Sequence, residues 1–310
     1  MHATQTGSSR NRPRNSYGRF WRILIHIALL GLSLAFLLPL MLVIAGSVSD
    51  EQSVIAHGYR LIPEKFSLFA FDFVLKDPGP IISGYRVTTT VTVVGTLISL
   101  FIMALMAYAI SRREFKFRHL ISFIVYFTML FSGGLIPYYI LMVRVLDLKD
   151  TMWALILPGL VTPFYVLILR SYFDGLPQEL LDAARIDGAS EWRIFFSIAL
   201  PLSTPVLVTI GMLTVISYWN DWFNALLFID TPRLHPLQLL LYRLMQNLAF
   251  LTQNMKNLPP GTKLPPIPTS TIRMTLAVLG TVPPVIVFLF LQKYFVGGLT
   301  IGALKGGGDE

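Results

Sequence analysis

A chain of 310 residues with 54% hydrophobic and only 14% charged residues, at a mean hydropathy of +0.63, is too apolar for a soluble domain and reads as an integral membrane protein. The net charge of +8 fits the basic excess that a polytopic membrane protein carries in its inner loops, so it is no footprint of nucleic acid. Cysteine is absent, which excludes disulfides and thiolate metal sites, and His2, His26, His57, His119 and His235 show no metal-ligand spacing.

Residues 1–22 carry Arg10, Arg12, Arg14, Arg19 and Arg22 without an acid, the composition of a disordered, cytoplasmic terminus. The transmembrane domain occupies residues 23–310. Its first span, Ile23–Ala45, meets the need for about 20 apolar residues. It exceeds the roughly 7–15 residues of a signal-peptide core, so the small-residue site at Ala45-Gly46-Ser47 belongs to a retained anchor. Ser47–Arg86 is a mixed, external loop, and Thr88–Ile110 is the second span. Arg112, Arg113, Lys116 and Arg118 then place the following loop inside.

The third span, Leu120–Leu141, contains Gly133-Gly134 and Pro137 and should be bent or broken in its outer part. The fourth, Met152–Tyr172, contains Pro158-Gly159 and Pro163. Either these only kink the helix, or neighbouring helices or a water-filled cavity satisfy the freed carbonyls.

Glu179–Pro205, ELLDAARIDGASEWRIFFSIALPLSTP, interrupts the apolar pattern within a loop over 173–205. It predicts two short helices: one opened by Pro177 and closed at Asp187-Gly188, the next capped by Ser190 and limited by Pro201. Glu179, Asp182 and Arg185 recur as a charged stripe, while Leu180, Ala183 and Ala184 share the neighbouring face. Two readings stand: an amphipathic connector on the membrane surface, or a face bare enough for a partner to approach the backbone.

Val206–Phe228 is the fifth span, with Trp219, Asn220, Asp221, Trp222 and Asn224 clustered in SYWNDWFNALLF. An outer aromatic belt would explain both tryptophans. Alternatively Asn220, Asp221 and Asn224 face a polar cavity and bind a hydroxylated solute, since a carboxylate at membrane depth is costly unless paired or hydrated. Residues 230–273 return outside, with Leu237–Leu251 predicted as a surface helix before proline-rich NLPPGTKLPPIPTS. External Arg233, Arg243 and Lys256 suit an acidic saccharide, or are plain solvated loop charges. Met274–Phe295 is the sixth span, followed by a glycine-rich tail inside. The fold class is all-α, a polytopic protein with six transmembrane helices.

Asp182-Ala183-Ala184, Gly188, Ile198 and Leu200-Pro201 resemble the EAA coupling motif of bacterial ABC importer permeases, with Asp182 in place of the usual glutamate. With six spans and a C-terminal Gln292-Lys293-Tyr294-Phe295-Val296, Gly302 and Lys305-Gly306, the chain resembles the maltose-type family of carbohydrate ABC importer permeases. Phe131-Ser132-Gly133-Gly134-Leu135-Ile136-Pro137 resembles a subset associated with complex or acidic oligosaccharides.

The resemblance implies a type I importer permease whose cytoplasmic coupling loop docks on an ATPase through Glu179, Asp182, Ala183, Ala184, Asp187, Gly188, Ile198, Leu200 and Pro201. It places Trp219, Asn220, Asp221, Trp222 and Asn224 on the path of an oligosaccharide. The partners it implies are a second permease in a heterodimer, an ABC ATPase dimer, an extracytoplasmic solute-binding protein and the lipid bilayer, with no nucleic acid. The setting is the bacterial cytoplasmic (inner) membrane, with both termini cytoplasmic. No glycine is followed directly by lysine, so a phosphate-binding GxxxxGK[ST] is missing, and ATP and Mg are expected on the ATPase. No catalytic or metal site is expected, and the chain should not be an enzyme. The alternative is an ion-coupled secondary transporter, for which Asp221 is the one acid well placed in a span and no internal repeat is seen.

Overall fold

The computed structural model describes residues 19–255 and 268–304. Arg10, Arg12, Arg14, Lys256, most of the proline-rich segment and Lys305-Gly306 lie outside them. Among the described residues every regular element is a helix, and strand-like pairing is limited to an isolated bridge between Ser49 and Phe66.

The elements in order are α1 (Arg19–Ser47), α2 (Glu51–His57), α3 (Phe69–Val74), α4 (Pro78–Ser111), α5 (Arg118–Leu130), α6 (Leu135–Ile140), α7 (Trp153–Ile156) and α8 (Pro163–Asp174). There follow α9 (Gln178–Ile186), α10 (Glu191–Ile194), α11 (Leu200–Leu202), α12 (Thr204–Trp219), α13 (Phe223–Phe228), α14 (Leu237–Met255) and α15 (Thr269–Leu304). Three helices are long and apolar enough to cross a membrane unbroken, within Phe20–Ser47, Pro78–Ser111 and Thr269–Phe290. Three bent pairs bring the number to six if each counts as one span: α5 with α6 at 117°, α7 with α8 at 48°, and α10–α11 with α12 at 79°.

The breaks fall where the backbone demands them. Gly134, at φ +84°, opens α6 after the 117° turn, in the left-handed region that side chains avoid. Pro163 sits in the first turn of α8, where its missing N–H leaves no bond unmade. Pro201 falls one residue before the end of its helix, the limit that the sequence suggests. The chain runs from α10 through a π-helical turn (Phe195–Ala199) and α11 to the bend at Ser203.

α4 is the central post, packed against α8, α12 and α14. Its Asp77 cap accepts from Gly79 N, so the helix starts at Pro78, well before the predicted Thr88. Its buried face is lined with small residues, among them Gly84, Thr88, Thr92, Gly95, Thr96, Ser99, Ala104 and Ala107. Without a strong hydrophobic drive between helices in lipid, such residues let backbones approach closely. Ser99 Oγ reaches the Leu160 carbonyl at 2.8 Å, and Thr88 Oγ1 accepts from Leu237 N at 2.8 Å.

α14 is not the surface helix expected. Leu237, Leu239, Leu241 and Leu248 are buried, with α14 wedged against α4 and α15. α15 continues past the predicted span to Leu304, and the final glycines of the tail lie outside the described residues. α1 packs along α15, and its spanning window is otherwise fully exposed. Beyond α1, the Glu51 carboxylate of α2 accepts from Ser270 N at 2.9 Å, Thr271 N at 2.8 Å and Thr271 Oγ1 at 2.7 Å, capping the start of α15.

Candidate functional site

Two regions carry the residues singled out in the sequence. The first is the α9–α10 loop. α9 ends in a glycine cap: Gly188 N donates to Arg185 O at 3.0 Å and Ala189 N to Ala184 O at 2.9 Å, with Gly188 at φ +79°. Ser190 Oγ then accepts from Arg193 N and caps α10. Leu181, Ile194 and Phe195 are buried and anchor the pair to the bundle core, and Ile198 and Leu200 pack against the same core. The other side is open. Glu179, Asp182, Ala183, Asp187, Gly188 and Pro201 are exposed, Ala184 is half-buried, and a Cβ added at Gly188 would meet nothing within 4 Å.

The motif residues therefore divide into an outward set around Ala183 and Gly188 and an inward set, Ile198 and Leu200, that seats the loop. Ile186 is the most exposed apolar side chain on this face, at 86%. The charged stripe is an ion network centred on Arg185. Its guanidinium lies 3.0 Å from Asp182, 2.9 Å from Glu191 and 3.6 Å from Glu114, with no such contact for Glu179. Burial opposes the charge on Glu191, yet Arg185 and the Tyr108 hydroxyl outweigh it and hold the carboxyl below its usual range. Sequence reasoning missed Tyr108 and Glu114, which reach the loop from α4 and the turn after it.

The second region is the break after α12. Here the predicted cluster splits. Trp219 is buried, and its Nε1–H donates to Gly280 O on α15 at 3.0 Å, so it is not part of an outer belt. Trp222 stacks on Tyr242 of α14 with centroids 4.5 Å apart, and Asn220 Oδ1 accepts from Gln238 Nε2 at 3.3 Å. Asp221 and Asn224 turn elsewhere, onto a cavity of about 320 Å³ walled also by Pro158, Gly159, Thr162, Ser217 and Tyr218.

Within that cavity Asn224 N and Nδ2 donate to Asp221 at 3.0 and 2.7 Å, and Asn224 Oδ1 accepts from Tyr138 OH at 2.8 Å. The amide gives one hydrogen to Asp221 and accepts one from Tyr138, which leaves it a further donor and acceptor. The carboxylate keeps acceptor capacity beyond the two bonds from Asn224. Of the two readings for the prolines of the fourth span, the wall formed by Pro158 and Gly159 favours the cavity. Thr162, Ser217, Tyr218 and Tyr138 carried no signal of their own in the sequence. The described residues hold no group of three or more His, Cys, Asp or Glu able to bind a metal.

Comparison with known proteins agrees with this architecture. Residues 100–301 match the model of the family described as binding-protein-dependent transport system inner membrane component. The polygalacturonan/rhamnogalacturonan transport system permease protein YtcP of Bacillus subtilis is 38% identical over 93% of this chain and 99% of its own length. Protein LplC of the same organism is 39% identical over 93% and 96%, and the trehalose/maltose permease MalG of Thermococcus litoralis is 33% identical over 92% and 97%. A solved bacterial ABC transporter involved in import of the acidic polysaccharide alginate superposes with a TM-score of 0.75 at 29% identity, covering 90% of this chain and 99% of that one. The six-span helical bundle and these matches together place the chain in the family of binding-protein-dependent transport system inner membrane components, as a permease with the type I ABC importer fold.

Proposed function

We propose that this permease is one of two membrane subunits of an importer for oligosaccharides handed over by an external binding protein, with ATP and Mg held on a separate ATPase dimer. The α9–α10 loop docks in a cleft of that ATPase on the cytoplasmic side, where both termini also lie. The observation that carries this reading is the open surface at Ala183 and Gly188, held out by a buried Leu181–Ile194–Phe195 anchor. A partner can come into close contact there, and movement of the partner reaches the core through the anchor.

Asp221, Asn224, Thr162 and Ser217 offer a hydroxylated solute a polar surface beside Tyr218, the mixture that sugars use, while Trp219, Asn220 and Trp222 tie the same break to α14 and α15 and lie off the solute's path. The names of YtcP and of the alginate importer support an oligosaccharide that contains acidic units. The test is ATP hydrolysis by the assembled complex with its binding protein, against panels of neutral and uronate oligosaccharides. Stimulation by the uronate panel supports the full reading, stimulation by the neutral panel alone removes the acidic cargo, and silence toward both removes carbohydrate as the cargo. Uptake that survives loss of every associated ATPase overturns the importer.

A further inference from the structure

The hydroxyl of Tyr108, near the end of α4, donates to Glu191 Oε2 at 2.9 Å, and the other oxygen of the same carboxylate accepts from Arg185 Nε at 2.9 Å. One side chain on α10 thus joins the last turn of α9 to the central post of the bundle. We propose that Tyr108 is a positioning residue for energy coupling: through Glu191 it fixes the angle of α9 and α10 against α4, so that force applied to the loop turns the span and does not merely tilt the loop. This rests on the reading of α9–α10 as the ATPase-docking element.

Exposure decides which contact in the network can do this. Asp182, Glu114 and Glu191 are 60%, 67% and 53% exposed at the side chain, and ion pairs so open to solvent hold geometry weakly, so what sets the Glu191 contact apart is its buried partner. Tyr108 is 6% exposed, with its ring 5.7 Å from Phe173 and 5.1 Å from Phe195, so it cannot follow a loop that swings away. A second latch lies beside it. The Arg112 guanidinium sits 4.8 Å over the Tyr108 ring and donates from Nη2 to Phe173 O at 2.9 Å, near the end of α8, the helix that feeds α9. Both approaches to the loop are therefore fastened to one end of α4. A cavity of about 450 Å³ opens beside these groups, lined also by Leu105, Ala109 and Trp192.

The experiment uses the complete complex in proteoliposomes, with solute moved per ATP hydrolysed as the readout. Tyr108→Phe removes one hydroxyl and keeps the ring, and Glu191→Gln removes the charge. Each should lower the ratio about tenfold, the scale of one hydrogen bond to a charged group. The amount of assembled complex should stay unchanged, and the double variant should be no worse than either single. An unchanged ratio in both variants, effects that multiply in the double variant, or a loss of assembled complex that accounts for the whole effect would each overturn the proposal. Gly188→Asp separates it from the docking reading. Normal transport by that variant removes the docking role and this proposal with it, while blocked transport beside a normal Tyr108→Phe removes only the Tyr108 link.

Discussion

Tyr218 is clamped between two glycines, and that clamp can be tested by adding one carbon. A Cβ on Gly95 of α4 would lie 2.7 Å from the Tyr218 ring, and one on Gly159, after α7, would lie 2.8 Å from it. The ring is 6% exposed and its hydroxyl donates to Ile156 O at 2.8 Å, so it can yield only toward the cavity it walls and at the expense of that bond. Overpacking of this kind costs about 1–3 kcal/mol, and a ring that shifts to relieve it forfeits roughly 1 kcal/mol of hydrogen bond. Against this, alanine in mid-helix gains about 1 kcal/mol over glycine, which leaves Gly95→Ala destabilising by about 2 kcal/mol. For a chain of this length that is a midpoint lowered by about 3 °C in heating of the detergent-solubilised permease, followed by the fraction that stays monodisperse. Tyr218→Leu in the Gly95→Ala background should recover part of the loss, because the clash disappears with the ring. A Gly95→Ala protein as stable as the parent would refute the clamp, since the helix-propensity gain would then be acting unopposed.

Gly188→Ala should cost about 1–2 kcal/mol of local stability through its φ of +79° alone, read as faster hydrogen exchange at the Gly188 and Ala189 amides. Gly188→Asn should restore the cap, since asparagine tolerates this conformation, yet still block transport if a partner approaches the backbone; normal transport by Gly188→Asn would argue against close docking. Hydrogen bonds from the Thr231 hydroxyl and amide hold the Asp150 carboxyl below its ordinary range, so its stabilisation is present above about pH 4 and is lost as pH falls through the lower folded value. The stability gap between parent and Asp150→Asn should therefore be open at pH 7 and narrow on acidification below about pH 4, in the same heating assay; a gap that stays constant with pH would contradict this. Asp221→Asn should keep the fold and lower the transport rate, whereas Asn220→Ala, turned away from the cavity, should leave transport within twofold; equal effects of the two would count against the cavity as the solute's path.

Composition and apolar run length made the six-span helical class legible, because lipid requires every spanning segment to satisfy its own backbone. The bends at Gly134 and Pro163 were equally local: a positive φ and a missing N–H act on their own residues. What stayed hidden was long-range. Nothing in LQLLLYRL distinguishes a helix resting on the membrane from one wedged into the bundle, since both bury leucines; the close approach of Gly84 to the Leu237 backbone decides it, a Cβ there falling 3.2 Å from Leu237 Cα. In the candidate site, Asp182 to Gly188 could be picked out because small residues and a turn leave their mark in the sequence. Trp219, Asn220, Asp221, Trp222 and Asn224 could be seen as a cluster but not sorted, because the break after α12 points neighbours to opposite sides. Tyr108, far away in the chain, gave no sign that it meets Glu191.

The Glu51 cap ties α2, which follows α1 directly, to the start of α15. α1 lies along α15, and the three hydrogen bonds at Ser270 and Thr271 close the remaining end of the pair. A reporter dye on the exposed face of α1 is therefore placed to report tilts of the sixth span while touching none of the residues that wall the cavity.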